Sequence, residues 1–148
     1  MEMSNLFKVL KEHHEFMRTY LEVLIQHRQA VINGNINELE ETIKNEGAIL
    51  IIIESYQNKV VDIIKCLSDK YSLGLKYYRL SELINAIKNS YDTAGLSKMR
   101  DSLIQMGNEI MKINNQNKLL IDQARNLIKQ TITAVVNNKK VPILDRTI

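Results

Sequence analysis

The chain has 148 residues, a formal net charge of +3 and 45% hydrophobic residues, with one cysteine, one proline and no tryptophan. This length favours one domain with a continuous core. The lone cysteine, Cys66, excludes an internal disulfide framework, and the longest apolar run, Ala48 to Ile53, is too short to cross a bilayer, so no membrane insertion is expected.

The charge is unevenly divided along the chain. Residues 96–148 sum to +5 and residues 1–95 to −2. A basic half can favour acidic partners, but it has no arginine-rich block and no interleaved aromatic residues, so we expect no nucleic-acid binding. The first residues show no basic segment followed by an apolar stretch. We therefore predict no signal peptide and a cytoplasmic protein.

The first long helix is predicted from about Ser4 to Ile32, with Ser4 or Asn5 as its N-cap. Its apolar residues repeat at intervals of four and three, the spacing of a core-facing stripe. The segment 33–35, Asn-Gly-Asn, predicts a stop because glycine tolerates the left-handed conformation at a helix end. Asn35 is then a suitable N-cap for the next helix.

The second long helix is predicted from Ile36 to Asp69 or Lys70, antiparallel to the first because the connection is short. Its seam includes Glu46, which needs a partner if it is buried; we expect a Lys or Arg from a neighbouring helix. The run from Ile49 to Ile53 makes this helix apolar all round. Two alternatives stay open for that run: coverage by two neighbouring helices, or an exposed patch for a partner.

A short helix is predicted from Glu82 to about Asn89, with Ser81 as its N-cap, and the final long helix from Leu96 to Val136. The final seam alternates intervals of three and four without interruption, as in a coiled coil. It comprises Leu96, Met99, Leu103, Met106, Ile110, Ile113, Asn117, Leu120, Ala124, Leu127, Thr131 and Ala134.

The predicted fold class is all-α, an antiparallel helical bundle of three long helices plus one short helix. Residues 1–137 form a single domain in this prediction, and residues 138–148 form a flexible C-terminal tail.

The three long helices differ in length, at about 45, 50 and 60 Å from the helical rise. Leu96 to about Asn117 should therefore lie within the bundle, whereas Leu120 to Val136 should extend beyond it. Ile132 and Val136 are apolar on the side away from the seam, and β-branched residues here are mediocre helix formers. We expect this end to fray alone and to become ordered when it is covered.

Asn117 is the polar member of the final seam and has two interpretations. It is either a buried amide that sets the register of the helices, which we favour, or a contact to a partner helix.

Catalytic and metal-binding patterns are missing from the sequence. His13 and His27 lie about 21 Å apart along one helix, which rules out a shared metal. We expect the three histidines, His14 included, to be half-exposed and Cys66 to be buried or half-buried. No phosphate-binding loop, nucleophile elbow or HExxH motif occurs, so we predict no enzyme activity, no cofactor and no metal site.

Several short patterns follow one another in a distinctive order. The second helix carries Leu39, Thr42, Glu46 and Leu50; the short helix is Leu80-Ser81-Glu82-Leu83-Ile84; the final helix carries Asn114 and Asn117 before Leu119 and Leu120. In this order, and with these loop positions, the chain resembles the FlgN-type flagellar export chaperones across most of its length.

The resemblance implies a cytoplasmic, non-enzymatic chaperone of the flagellar type III export system. Such a protein holds hook–filament junction subunits before secretion and prevents their premature assembly. An amphipathic helix of those subunits is then the expected partner of the final helix, with the export apparatus as a further partner.

The partner-binding residues predicted on the final helix are Asn117, Leu120, Ile121, Ala124, Leu127, Ile128, Thr131, Ile132, Val135 and Val136. Two other hypotheses stay open. One is an obligate coiled-coil homo-oligomer, at its simplest a homodimer, in which the final helix pairs with itself. The other is a signalling adaptor whose basic face meets acidic partners, without an export client.

Overall fold

The chain ends its first helix where the sequence changes to Asn-Gly-Asn. Gly34 adopts a left-handed φ of 65°, and the side chain of Asn35 accepts a hydrogen bond from the Glu38 N–H at 3.2 Å. Both features confirm the predicted stop and the predicted N-cap. They join two long helices through a turn short enough to make them antiparallel neighbours.

The computed structural model describes residues 2–139, and their side chains as far as residue 137. It contains four helices: α1 (Glu2–Asn33), α2 (Ile36–Lys70), α3 (Leu80–Ile87) and α4 (Ala94–Lys139). The prediction of an all-α antiparallel bundle with three long helices and one short helix is confirmed. None of these helices combines the length and hydrophobicity needed to cross a membrane.

The predicted starts of α1 and α3, with their predicted N-caps, differ from the structure. Helix α1 begins at Glu2, so Ser4 and Asn5 lie inside it and do not cap it. Helix α3 begins at Leu80 and its N-cap position is Arg79, so Ser81 is not the cap. The Glu82 carboxylate instead accepts the backbone N–H of Tyr77 at 3.0 Å and so fixes the loop to the helix.

The end of the chain also differs in part. Helix α4 continues to Lys139, three residues past the predicted end. The predicted tail, 138–148, lies outside the described residues from residue 140 onwards.

Helix α1 lies at the centre of the described part of the molecule and packs against both α2 and α4. Among residues 2–139, no Cα of α2 comes within 8 Å of a Cα of α4. The short helix α3 contacts both α2 and α4 at one end of the molecule. We call this end the base, and the end with the α1–α2 turn the tip.

The larger of two buried apolar clusters lies at the base, and all four helices contribute to it. Its buried members are Leu6, Leu10, Ile64, Leu67, Leu83, Ile84, Ile87 and Leu96. A second cluster nearer the tip has Tyr20, Leu24 and Ile53 as its buried members. Helix α3 therefore completes a four-helix core at the base, while three helices form the core above it.

Helix α4 runs parallel to α1 in a register that the contacts define. Gly95 packs against the ring of Phe7 and Gly107 against the end of Met17, while Asn117 bonds to the backbone of Leu24. Extending these pairs to the end of α1 places the tip level with about residue 124 of α4. We call residues 122–139 the overhang; it projects beyond the tip by roughly 20–25 Å.

Replacing Leu83 by Ala tests whether α3 is part of the core. Leu83 is fully buried among side chains of the other helices, so the change removes apolar contacts and leaves a cavity. We expect the free energy of unfolding to fall by about 2–5 kcal/mol in urea denaturation. The matched control, Ile51→Ala at an exposed position, should change it by less than about 0.5 kcal/mol.

Candidate partner-binding surface

The residues predicted to bind a partner fall into three groups in the structure. Asn117 is buried, and Leu120 and Ile121 are half-buried where α4 leaves the bundle. The remaining seven lie in the overhang. Ala124, Leu127, Ile128 and Thr131 are exposed there, while Ile132, Val135 and Val136 are half-exposed.

Asn117 lies inside the bundle and offers no surface to a partner. Its side chain is 3% exposed, and its Nδ2 donates to the backbone oxygen of Leu24 at 2.9 Å. Its Oδ1 has no hydrogen-bond partner among residues 2–139. The placement agrees with a buried amide that fixes the register of α4 on α1, and it removes Asn117 from the partner-binding set.

A layer of polar contacts crosses the three long helices just below the tip. His27 Nδ1 and Glu46 Oε1 lie 2.5 Å apart between α1 and α2. Asn117 of α4 donates to the backbone oxygen of Leu24, and Tyr20 of α1 lies near both Glu46 and Asn114. Burial raises the pKa of the Tyr20 phenol, and the nearby Glu46 charge raises it further. The apolar core thus ends in a layer whose hydrogen bonds require one alignment of the helices.

The structure corrects three expectations from the sequence. The partner of Glu46 is His27, where a Lys or Arg was expected. His13 and His27 are buried, where half-exposed side chains were expected. Cys66 is exposed, where a buried or half-buried thiol was expected. The histidines follow the core stripe of α1 and are buried with it, whereas Cys66 lies on the outer side of α2.

The overhang exposes large apolar side chains beside basic ones. Leu127 is 65% exposed and Ile128 is 58% exposed, with Arg125 and Lys129 within one helical turn of Ile128. The hydroxyl of Thr131 donates to the backbone oxygen of Leu127 at 2.8 Å and is satisfied within the helix. This surface can bury apolar side chains of a partner and attract negative charge.

A second apolar surface lies on α2 near the tip. The sequence left open whether this run is covered by neighbouring helices or exposed. Within the run 49–53, Leu50, Ile51 and Ile52 are exposed and Ile53 is buried. The alternative of an exposed patch therefore holds for three of these five residues. Ile36 and Ile43 of the predicted α2 seam are also exposed, because α4 packs on α1 and stays apart from α2.

Acidic, histidine and cysteine side chains form no metal site in the described structure. Between residues 2 and 139, no three His, Cys, Asp or Glu side chains come together in a way that could hold a metal ion. The chemistry that the surface offers is apolar burial and charge pairing.

The fold and the projecting helix together define an all-α bundle whose last helix extends beyond the other three. The family described as "FlgN protein" matches residues 1–143, nearly the whole chain. The chain belongs to the FlgN family, a family of flagellar export chaperones and not of enzymes. No curated protein and no solved structure matches it.

Substituting one or both members of the His27–Glu46 pair tests the polar layer. His27→Leu leaves the largely buried Glu46 carboxylate without its partner, so we expect it to lower the free energy of unfolding by about 1–3 kcal/mol. The double variant His27→Leu with Glu46→Leu removes both polar groups and should be more stable than His27→Leu alone. A double variant less stable than the single one would show that the pair is not coupled.

The pH dependence of stability tests the burial of His13. Burial, and secondarily the charge of His14, lower the pKa of His13 below its ordinary value of 6.5. As the pH falls below 6.5, the unfolded chain binds a proton that the folded chain resists, so the stability from this group is lost. We expect His13→Met to flatten the decline in unfolding free energy below pH 6.5, and an unchanged slope would contradict this.

Proposed function

We propose that this protein is a cytoplasmic chaperone of the flagellar type III export system and that its overhang binds an amphipathic helix of the hook–filament junction subunits. The observation that carries the proposal is the exposed apolar surface of the overhang, which includes Leu127 and Ile128. Membership of the FlgN family supports the general role.

The binding mechanism follows from burial of this surface. A client helix that covers the apolar side chains of the overhang gains roughly 1.5–3 kcal/mol for each large side chain that becomes well buried. Ordering the client and the end of α4 then subtracts several kcal/mol. The result is a reversible complex in which the client's own apolar strip is covered, so that premature assembly is prevented.

The residues that carry binding are the members of the predicted set that lie in or beside the overhang, all apolar except Thr131: Leu120, Ile121, Ala124, Leu127, Ile128, Thr131, Ile132, Val135 and Val136. Arg125 and Lys129 add positive charge on this helix and favour a client helix with an acidic flank. In this mechanism the chain forms no covalent bond with its client and requires no cofactor.

The double variant Leu127→Asp with Val135→Asp tests the proposal. Aspartate at both positions places charge where the client's apolar side chains would pack, so co-purification with hook–filament junction subunits should be lost. The matched control is Ile104→Asp with Met111→Asp, two exposed apolar positions on the part of α4 beside α1; it should bind as the wild type does. Circular dichroism should show full helicity in both variants, and retained binding by the overhang variant would refute the proposal.

A further inference from the structure

One row of apolar residues on α2 is covered at the base and exposed near the tip. Ile36, Ile43, Leu50, Gln57 and Ile64 follow at intervals of seven, slightly less than two helical turns each, and so form one row that turns by about 20° per step along α2. Ile64 is completely buried in the base cluster, to which the apolar residues of α3 also belong. The other three apolar members, which we call the tip row, are 69%, 52% and 45% exposed in the order Ile36, Ile43 and Leu50.

The packing of the helices explains this difference. At the base, α3 contacts both α2 and α4 and fills the space beside α2. In residues 2–139 no helix takes that position near the tip, because α2 and α4 both pack on α1 and α3 is confined to the base. The tip row is therefore a continuation of a surface that already accepts a helix.

We propose that the overhang of a second copy of this chain occupies the tip row, so that two copies form a reciprocal dimer, tip to tip. Length supports this choice of occupant. The tip row spans about 21 Å from Ile36 to Leu50 at the helical rise, and the overhang spans roughly 25 Å.

Charge complementarity also favours a second copy. Residues 36–54 carry five carboxylates and one lysine, whereas residues 118–136 carry three basic residues and one carboxylate. Glu40 and Glu54 lie within one turn of the tip row, and Arg125 and Lys129 lie within one turn of Ile128. The tip row and the overhang are thus apolar strips of similar length. Acidic residues flank the tip row, and basic residues flank the overhang.

The direction of α4 allows two copies to make the same contact twice, each overhang on the other copy's tip row. Helix α4 runs parallel to α1 and projects beyond the tip, so a two-fold rotation that places two tips face to face brings each overhang beside the other copy's α2. Each copy then donates one overhang and one tip row. The interface is isologous and cannot extend into a filament. Each overhang would lie beside the tip row as α3 lies beside Ile64.

This dimer does not depend on the proposed client, but it involves the same overhang. A client helix and a second copy would therefore compete for Leu127 and Ile128. Substitutions on the tip row separate the two ideas, because they remove the dimer contact and leave the client surface unchanged.

The test is sedimentation of the full chain over micromolar to submillimolar concentrations. We expect the wild type to show a species of twice the 17.1 kDa chain mass. Ile43→Asp with Leu50→Asp should give monomers at all concentrations, whereas Ile104→Asp with Met111→Asp should dimerise as the wild type does. Because all four positions are exposed, each variant should keep its helicity.

A charge exchange tests which surfaces face each other. Glu40→Lys with Glu54→Lys, or Arg125→Glu with Lys129→Glu, should each weaken the dimer by roughly tenfold, since two-fold symmetry makes every lost pair count twice. The variant with all four changes should regain the wild-type dissociation constant. A monomeric wild type, a dimer that survives the tip-row variant, or a fourfold variant that stays weak would each overturn the proposal.

Discussion

The unequal length of the parallel helices α1 and α4 is the constraint on which the rest of the structure depends. The two helices start at nearly the same level, where Gly95 packs on Phe7, but α1 has 32 residues and α4 has 46. Both rise by the same distance per residue, so the excess of α4 must project beyond the α1–α2 turn. Exposed apolar side chains such as Leu127 and Ile128 are unfavourable in water, and this is the physical basis of the proposal that a partner covers the overhang.

The polar layer below the tip separates the stable core from this binding element. The hydrogen bond from Asn117 to the backbone of Leu24 attaches α4 to α1 about two and a half turns before α1 ends. Past the end of α1, the apolar residues of α4 have no neighbouring long helix within the described bundle. Changes in the overhang should thus alter binding while the bundle keeps its fold, which is the behaviour expected of a chaperone that takes up and releases clients.

The central position of α1 leaves the chain with two complementary surfaces. Since α2 and α4 both pack on α1 and make no close backbone contact with each other, the groove between them is filled by α3 at the base and has no helix in it near the tip among the described residues. The overhang is a basic apolar helix, and the tip row is an apolar strip with acidic flanks. Competition between a second copy and a client for the same overhang would link the assembly of the chaperone to its loading.

The sequence by itself determined the helices, the turn at Gly34 and the long final helix, because periodicity, capping and glycine conformation act locally. It also carried the family resemblance through the order of short patterns from Leu39 to Leu120. Only the tertiary structure decided which sides of the helices are covered. The heptad pattern of α2 treats Ile43 and Ile64 alike, yet one is exposed and the other buried, since coverage depends on where α3 and α4 pack. In the same way, Asn117 and Leu127 both belong to the seam of α4. Asn117 is buried because it lies beside α1, and Leu127 is exposed because it lies past the end of α1.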